Sequence, residues 1–522
     1  MTTVRDWYKD QTVLVTGGTG YMGKVLLEKL LRSCPGLRRI YVLARSRRGF
    51  SPSARFEEIT SLPLFEDLAN NNPEVLKKLV VVESDLSQVD LGLSKKNKQQ
   101  LISEVTVVFN LAASVRMGIK MKEAITHNTA NTKRLLEVCV HMKQLKAFVH
   151  LSTTFCHCEL EVLEEKVYSA THNPDDVLQT MEWLDNESVD KITPRLLGPH
   201  PNCYTYTKRL SEFLVHEYRN QIPVCIVRPS IVTPSALEPF PGWVDALTGP
   251  IGLLVAAGKG VLRSMMCGEN YTAQIVPVDV AINATILAAW KLDKEKSKDV
   301  AVYNLNSGSI FKVPWGGIIS KGRQILHDYP FESALWYPDG NIRSNWLIHC
   351  LCVIFFHYLP AYFIDFLLLL ARRKRFMVNI QNKISAGLEV LQYFTLRDWE
   401  FKIDNFVGLS EGLSKDESAI FFTTNINHDI DNYLHHAILG ARVYCMKEPL
   451  SSLPKARRLR TFLYTLHCLS KIIFYVFLVW LLTKYIESTD MFLNYLTKLL
   501  HQVPMLARLI PHDVNNVEIS GL

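Results

Sequence analysis

Three glycines that separate a short apolar run from a helical pattern constrain the fold of this 522-residue chain more than any other feature. The run TVLVT is followed by Gly17, Gly20 and Gly23, and apolar residues then recur at helical spacing. Glycines at this spacing permit a tight turn and let the backbone approach a pyrophosphate at the helix N-terminus without interference from a Cβ atom. We therefore predict a strand, a phosphate-binding turn and a helix, with Tyr21 and Met22 also contacting the nucleotide.

Further β-like runs alternate with helical stretches over the first 230 residues or so. The runs lie at 39–44, 79–82, 106–111, 147–151 and 224–227, and a long helical stretch covers 124–142. Strands that alternate with helices predict an α/β fold with a doubly wound parallel sheet of the Rossmann type. The irregular, Pro- and Gly-rich pattern from 229 to about 341 predicts a lobe that covers the substrate.

The end of the second β-like run indicates which nucleotide binds. An NAD-binding chain carries an acidic residue there for the ribose 2′-hydroxyl, whereas this chain reads VLARSRRG. An arginine can pair with a 2′-phosphate, so we predict NADPH, with Arg45 as the first candidate and Arg48 as the second; the alternative is a solvated basic loop. In the motif ESDL, Asp85 and Leu86 are predicted beside the adenine, where an ordinary turn aspartate is the alternative.

The stretch NCYTYTKRLSE places Tyr204 and Lys208 four residues apart, on one face of a predicted helix. A nearby lysine lowers the pKa of a phenol, which can then give a proton to a carbonyl oxygen as hydride arrives. The strand before this helix ends in HLSTTF and supplies hydroxyls at a strand C-terminus, Thr153 first and Ser152 as the alternative. This pattern predicts a reductase site, and core packing of the tyrosine is the competing interpretation.

Together these residues resemble the extended short-chain dehydrogenase/reductase family over roughly residues 10–290. In that family a Ser or Thr, a Tyr and a Lys form the active site. Asn110 and Ala112, in NLAASV, resemble the family's fourth-strand motif beside the cofactor. Asn128, in HNTANT, matches the asparagine with which the family bends a helix and holds a water, although Asn131 stands where the family has Gly.

Other stretches narrow the resemblance to alcohol-forming fatty acyl-CoA reductases. They are RPSIVTPSALEPFPGWVD (228–245), IVPVDVAINATI (275–286), KISAGLEVLQYFTLRDWEFKIDN (383–405) and GARVYCMKEP (440–449). The resemblance then spans almost the whole chain. It implies reduction of a long-chain acyl-CoA through a bound aldehyde to a primary alcohol, with release of CoA and consumption of two NADPH.

The resemblance and the hydrophobic pattern together divide the chain into segments. We expect an NADPH-binding domain at 1–290 with its substrate lobe from about 229, the end of that lobe and a linker at 291–345, a hydrophobic membrane-associated or tunnel segment at 346–371, a C-terminal helical domain at 372–450, a transmembrane or membrane anchor at 461–483, and a tail at 484–522.

The last hydrophobic segment, 461–483, is about 35 Å long as a helix, against a hydrocarbon core of about 30 Å. Lys471 at its midpoint opposes insertion, so a full span and an interfacial or hairpin anchor both stay open. If the segment spans, the basic stretch KARRLR before it places the catalytic part on the cytosolic side. The segment 346–371 contains Pro360 and several polar residues, which suits a monotopic surface or the wall of an acyl tunnel better than a span.

The composition favours a cytosolic catalytic part on the endoplasmic reticulum membrane. Met1 is followed by polar residues rather than a signal sequence, and the 11 cysteines include no CxxC pair, which favours reduced thiols. The final SGL lacks the central lysine of a peroxisomal signal. A peroxisomal membrane and a lipid droplet surface are the alternative locations.

Charge and spacing also exclude some functions. A net charge of +7 with 21% charged residues suits an anionic membrane face or a phosphorylated ligand rather than a nucleic acid. No metal site is predicted, because His349, His357 and Asp365, eight residues apart, rotate by about 80° at each step around a helix. The alternative substrates to acyl-CoA are a sterol and a nucleotide sugar, and the alternative to an enzyme is a non-catalytic membrane scaffold. The oligomeric state stays open.

Overall fold

The computed structural model describes residues 3–46, 49, 51–247, 249–297, 299–307, 312–424 and 429–501, without the side chains of 487, 488 and 496–501. The chain divides into two compact units after Arg457. The strands are β1 (Thr12–Thr16), β2 (Arg39–Ala44), β3 (Leu79–Glu83), β4 (Val107–Asn110), β5 (Ala147–Leu151), β6 (Val162–Leu163), β7 (Val224–Pro229), β8 (Ile231–Thr233), β9 (Ser264–Met266), β10 (Ile275–Pro277), β11 (Ala301–Leu305), β12 (Asn341–Arg343) and β13 (Glu400–Phe401).

Helices fill the connections between these strands and most of the chain after β12. They are α1 (Val4–Tyr8), α2 (Tyr21–Ser33), α3 (Pro52–Thr60), α4 (Glu66–Asn71), α5 (Pro73–Leu76), α6 (Lys95–Glu104), α7 (Met121–Ala124), α8 (Asn131–Cys139), α9 (Pro174–Trp183), α10 (Asn186–Leu197), α11 (Cys203–Glu217), α12 (Gly249–Gly258), α13 (Val278–Glu295), α14 (Trp315–Asp328), α15 (Trp346–Val353), α16 (Leu359–Leu370), α17 (Met377–Thr395), α18 (Asp404–Gly408), α19 (Lys415–Ile420), α20 (Ile430–Gly440) and α21 (Leu453–His501). Three π-helical turns, Ile125–Ala130, Ile354–Tyr358 and Ala441–Cys445, interrupt or extend them.

Seven parallel strands form the main sheet in the order β11-β7-β5-β4-β1-β2-β3. The chain winds outward from β1 through β2 and β3, then returns to the other side of β1 with β4. Strand order therefore reverses between β1 and β4, and ligands of such sheets bind in the crevice at the carboxyl ends of these strands. The predicted Rossmann-type doubly wound sheet is confirmed.

Apolar side chains cover both faces of this sheet. On one face Val13 and Val15 pack in a core with α2 and α13, and on the other Leu14 packs in a core with α6 and α8. Strand β11 and the buried helix α13 both lie in the part of the sequence that we predicted to be irregular. The β11 run is only five residues long, and α13 is buried on nearly all sides from Val278 to Trp290, so no amphipathic period marks it in the sequence.

The helical stretch predicted at 124–142 is broken by the π-helical turn Ile125–Ala130. The carbonyl oxygen of Asn128 accepts hydrogen bonds from the hydroxyls of Thr132 (2.7 Å) and Ser211 (3.1 Å). Such bonds compete with the regular helical ladder, and π-turns of this kind are frequent at functional sites.

The C-terminal helices pack directly on the rest of the first unit. Strand β13 pairs in parallel with β6, and a Cβ atom on Gly440 would collide with the carbonyl oxygen of Gly242. Two helical segments, Trp346–Leu370 and Leu450–Tyr495, are long and apolar enough by composition to cross a membrane. These two segments point to association of the chain with a membrane.

Candidate active site

The glycine turn lies at the carboxyl end of β1, beside the end of β4. Gly17 has φ of +72°, and a Cβ atom there would come within 2.8 Å of the backbone nitrogen of Ala112. A Cβ atom on Gly23 would collide with the carbonyl oxygen of Gly17, and the N–H of Gly20 donates to the same oxygen at 2.9 Å. The turn and the N-terminus of α2 form a cradle free of side chains that fits a pyrophosphate.

Tyr21 and Met22 begin α2, but their side chains lead away from the turn. The Tyr21 hydroxyl lies 3.0 Å from the carbonyl oxygen of Trp243 and 3.3 Å from that of Thr233. Burial raises the pKa of this phenol, so it stays protonated and donates. Met22 packs partly buried against the core. Tyr21 therefore links the start of α2 to the end of β8 and the loop that follows it.

Arg45 lies directly after β2, at the position predicted to distinguish NADPH from NADH. Its side chain is exposed, and its carbonyl oxygen accepts a 2.7 Å hydrogen bond from the guanidinium of Arg55 on α3. Two cationic side chains thus lie near the end of β2, and Arg55 is one that the sequence did not single out. Arg48 lies outside the described residues.

Asp85 follows β3 and forms a local turn with Ser87, whose N–H (3.0 Å) and hydroxyl (2.7 Å) both donate to one carboxylate oxygen. Burial raises the pKa of the Asp85 carboxyl, but these hydrogen bonds and the charge of Arg45 lower it overall. Leu86 packs partly buried against the second core. Asp85 is therefore both a turn residue and a neighbour of Arg45.

Asn110, at the end of β4, lies beneath the predicted cofactor crevice in a buried polar network. Its amide interacts with Thr16 (2.8 Å), Thr132 (3.3 Å) and His150 (3.1 Å). The N–H of Ala112 donates to the Thr16 hydroxyl at 3.2 Å. The network ties together the carboxyl ends of β1, β4 and β5, which fixes the crevice in place.

The Asn128 amide joins the π-helical turn to two neighbouring elements. It accepts from the N–H of Ser114 at 2.7 Å and donates to the hydroxyl of Thr207 on α11 at 2.9 Å. The Ser211 hydroxyl, one turn further along α11, donates to the Asn128 carbonyl. Asn128 thus fixes the position of α11 relative to the loop after β4.

Tyr204 and Lys208 lie in the first two turns of α11, which begins after the Asn202 side chain accepts from the N–H of Thr205 (3.0 Å). The Lys208 ammonium donates to the carbonyl oxygen of Leu151, the last residue of β5, at 2.6 Å. This bond brings the lysine to the residues that directly follow β5.

The Thr153 side chain, which acts on the pKa of the Tyr204 phenol, completes this group, which we call the tyrosine cluster (Thr153, Tyr204 and Lys208). The Ser152 hydroxyl is buried and hydrogen-bonds to no group among the described residues. Of the two candidate hydroxyls, Thr153 is therefore the one whose side chain acts on the phenol.

Burial shifts the pKa values of both ionisable members of the tyrosine cluster. Desolvation raises the pKa of the Tyr204 phenol, and the nearby Thr153 hydroxyl opposes the rise. Desolvation lowers the pKa of Lys208 to about 8, opposed by the negative charge of Glu212 one turn away. Near neutral pH the cluster consequently holds a protonated phenol beside a protonated amine.

A second polar cluster, which the sequence did not predict, lies one turn further along α11. The buried ion cluster consists of Cys156, His157, Glu212 and Arg228. Arg228 Nε and Nη2 bind the two carboxylate oxygens of Glu212 at 2.8 Å and 2.6 Å, and both side chains are fully buried. Burial raises the pKa of the Glu212 carboxyl, but the Arg228 guanidinium outweighs burial and holds that pKa well below its usual range.

The remaining members of the buried ion cluster complete the coordination of Glu212. The Cys156 thiol donates at 3.2 Å and His157 Nε2 lies at 3.4 Å. Three potential metal-ligand atoms, from Cys156, His157 and Glu212, lie within 4.8 Å of one another. Because a guanidinium already binds both carboxylate oxygens, an ion pair suits this arrangement better than a metal ion. The sequence places Glu212 on the same helix face as Lys208, four residues later, but does not show its partners.

The loop after β5 is also held by the C-terminal part of the first unit. The ring of Phe155, two residues after Thr153, makes edge contacts with Phe394, Trp399 and Phe401 at centroid distances of 5.3–5.6 Å. Helix α17 and strand β13 thereby contact the loop that carries Thr153.

Comparisons with known proteins agree with this geometry. Two family models, both described as male sterility protein, match this chain; the NAD-binding one covers residues 15–285 and the other covers 356–448. The first assigns an NAD(P)-binding domain to the glycine turn and the tyrosine cluster.

Named relatives match over most of their length. Fatty acyl-CoA reductase 1 of Gallus gallus is 37% identical over 88% of this chain and 89% of its own, and that of Homo sapiens is 36% identical over the same shares. Fatty acyl-CoA reductase 2 of Mus musculus is 36% identical over 89% of this chain and 91% of its own.

Solved structures of low identity share the fold. The terminal reductase domain of the myxalamid PKS-NRPS pathway has a TM-score of 0.53 at 17% identity, covering 84% of this chain and 93% of its own. The reductase domain of a nonribosomal peptide synthetase from Mycobacterium tuberculosis has a TM-score of 0.54 at 16% identity, covering 83% and 91%. The domain match and the named relatives establish that this chain belongs to the fatty acyl-CoA reductase family.

Proposed function

We propose that this chain reduces a long-chain fatty acyl-CoA to a primary alcohol, with NADPH as the reductant. The observation that carries the proposal is the tyrosine cluster: a phenol whose pKa responds to Thr153, one helical turn from a buried lysine that donates to the last carbonyl oxygen of β5. The names of the relatives support the substrate class. If the substrate were a sterol or a nucleotide sugar, the family match over residues 356–448 would have no explanation.

The cluster suits two successive reductions at one carbon. NADPH supplies a hydride for each. In the first reduction the negative charge that develops on the thioester oxygen receives hydrogen bonds from Tyr204 and Thr153. The oxyanion then collapses, the C–S bond breaks, and CoA leaves as a thiolate that takes up a proton. In the second reduction Tyr204 gives its proton to the aldehyde oxygen, and the product is the primary alcohol.

Lys208 acts through the phenol. Its positive charge stabilises the phenolate that remains after proton transfer, and its bond to the Leu151 carbonyl holds it in place between turnovers. Thr153 is then the hydroxyl that meets the substrate, and Ser152, whose buried hydroxyl hydrogen-bonds to no described group, is the alternative.

The preference for NADPH over NADH rests on Arg45. An exposed arginine at the end of β2, with Arg55 close by, offers positive charge where the ribose 2′-phosphate of NADPH would lie. The Arg45 charge already acts on Asp85 at the end of the neighbouring strand.

We place the catalytic part on the cytosolic side of the endoplasmic reticulum membrane, anchored by the segment 461–483. The long apolar helix and the basic residues that precede it support this topology. Protease added to intact microsomes should then degrade the NAD(P)-binding domain, and protection of that domain would reject the topology.

The function is tested on the full-length chain in detergent with a panel of acyl-CoA chain lengths. We expect two NADPH consumed for each primary alcohol identified by mass spectrometry, and at least tenfold weaker use of NADH. The Arg45→Ala variant should reduce the ratio of the rate with NADPH to the rate with NADH by about tenfold, because a charge-assisted hydrogen bond contributes about 1.5–3 kcal/mol. Arg219→Ala, at an exposed arginine in the turn after α11, is the matched control. Binding of NADPH without turnover of any acyl-CoA would reject the substrate class.

A further inference from the structure

The segment Trp346–Leu370, which we call the apolar helix, exposes most of its circumference. It runs continuously through α15, the π-helical turn and α16. Fourteen large apolar side chains along it are at least 45% exposed, Trp346, Leu347, Ile348, Leu351, Ile354, Phe355, Phe356, Leu359, Tyr362, Phe363, Phe366, Leu367, Leu369 and Leu370. Exposed apolar surface of this extent marks an interaction site in a stable protein.

Only a narrow stripe of the apolar helix is buried. Its buried residues are Cys352, His357, Ala361 and Asp365. The first spacing is five residues rather than four, because the π-helical turn lies between Cys352 and His357. The turn keeps the buried residues in one row, and the remaining sides of the helix stay open.

Polar side chains hold that stripe to the first unit along its length. His349 Nδ1 lies 2.9 Å from the Ser264 hydroxyl, and His357 Nε2 accepts from the N–H groups of Arg263 (2.9 Å) and Ser264 (3.1 Å). The Asp365 carboxylate accepts three backbone N–H bonds at the start of α17, at 2.9–3.1 Å. These attachments span 16 residues, or about 24 Å of helix.

This attachment decides the orientation of the apolar helix. A helix fixed along about 24 Å to β9 and α17 cannot cross a hydrocarbon core without drawing those polar elements in with it, and unsatisfied polar groups there cost several kcal/mol each. A helix that lies flat in the interface meets no such cost, since only its open side enters the lipid.

Charge at one end of the apolar helix indicates the kind of surface that covers it. Four consecutive cationic residues, Arg372, Arg373, Lys374 and Arg375, follow it directly, and all are exposed. Asp365 is the only carboxylate between Trp346 and Ile380, and it faces α17. Basic residues beside an inserted apolar surface attract anionic phospholipid headgroups.

From these observations we infer that the apolar helix and the basic residues 372–375 form an in-plane docking surface for an anionic lipid bilayer. This contact is separate from the anchor at 461–483. It places α17, which runs on to the aromatic contacts of Phe155 beside the tyrosine cluster, directly behind the lipid-facing surface. The inference does not depend on the proposed reaction, because its test reads lipid contact and not turnover.

The test uses the full-length chain reconstituted at low protein-to-lipid ratio into vesicles that contain a phospholipid with a diazirine in its acyl chain. Labelled residues are mapped by mass spectrometry. We expect label on Phe355, Phe363 and Phe366, in addition to the segment 461–483, and none on Cys352 or Ala361. Label confined to 461–483 would overturn the inference.

Vesicle composition and charge variants test the electrostatic part. Label on the apolar helix should rise at least threefold when phosphatidylcholine vesicles are given 20% phosphatidylserine. The double variant Arg372→Gln, Arg373→Gln should lose that rise, and Lys95→Gln, Lys96→Gln, two exposed lysines of α6, should keep it. Equal loss in both variants, or cross-links between the apolar helices of two copies in place of lipid label, would overturn the bilayer as the occupant.

Discussion

The tyrosine cluster and the buried ion cluster lie one turn apart on α11, yet they use their polar groups in opposite ways. In the buried ion cluster every oxygen of Glu212 is taken by Arg228, Cys156 or His157. The other guanidinium nitrogen bonds of Arg228 go to the backbone after β6. In the tyrosine cluster the residue Tyr204 is only half-buried, and Thr153 is the neighbour that acts on its phenol.

The same helix therefore carries one cluster that can take part in the reaction and one that stabilises the fold. A group that already holds all its partners contributes to the fold and cannot respond to a ligand, whereas a phenol at the rim of a crevice can still donate to a substrate. Substitutions in the two clusters should consequently affect different measurements.

The largest effect is expected for Tyr204→Phe. Removal of the hydroxyl deletes the proton donor and should reduce turnover by about 10²- to 10⁴-fold. The melting temperature should stay within about 1 °C of wild type, because the ring that packs is unchanged. Steady-state rates and thermal unfolding of the same detergent preparation check both halves. Turnover within tenfold of wild type would remove Tyr204 from the proposed mechanism.

Glu212→Gln should act on stability. It leaves the buried guanidinium of Arg228 without its counter-charge, which costs about 3–5 kcal/mol of unfolding free energy. The double variant Glu212→Leu, Arg228→Met should recover most of that loss, because a buried ion pair replaced by apolar side chains is often neutral. Denaturant unfolding measures both. A single variant as stable as wild type would contradict the architectural role.

The third prediction separates the two hydroxyls that follow β5. Thr153→Val keeps the shape of the side chain but removes a donor to the developing oxyanion, and should reduce kcat by about 10²-fold. Ser152→Ala is the matched control and should change kcat by less than about threefold, since the Ser152 hydroxyl is buried and hydrogen-bonds to no described group. If the serine variant showed the larger loss, the assignment of the hydroxyl would be reversed.

The smallest effect concerns pH. The pKa of Lys208 is lowered to about 8, so its charge is lost as pH rises through about 8, and kcat/KM should fall by up to about tenfold per pH unit above that value. Lys208→Arg keeps the charge at every accessible pH and should lack this inflection. A wild-type profile flat to pH 10 would contradict the role of the lysine charge.

Stability should respond to the same titration in the opposite direction. The folded pKa of about 8 lies below the unfolded value near 10.5, so the unfolded chain binds more protons between these values. The lysine therefore destabilises the fold below pH 8, and that cost is relieved as pH rises from 8 to 10.5.

The sequence predicted correctly the strands and the helix of the site whose formation depends on residues close together in the chain. Strands β1, β2 and β5 have the predicted bounds, because uninterrupted apolar runs end there at glycine or polar residues. The four-residue spacing of Tyr204 and Lys208 predicted a shared helix face, and the structure has both in α11.

Contacts between segments far apart in the chain could not be predicted from the sequence pattern. Glu212 resembles a solvated helix residue until β7 brings Arg228 to it, 16 residues further on. The π-helical turn at Asn128 depends on a hydroxyl 83 residues away, so the stretch around it read as an ordinary helix. Asp365 resembled a polar defect in an apolar segment, and its role in starting α17 became visible only in three dimensions.

The close approach of Gly242 and Gly440 has a consequence for how such chains diversify. One glycine belongs to the loop after β8 and the other ends α20, and at each position a side chain would overlap backbone of the opposite segment. Neither glycine can be replaced by a larger residue unless the backbone of the opposite segment moves. A side chain at either position would push the loop after β8 and the end of α20 apart, so each segment restricts the sequence of the other.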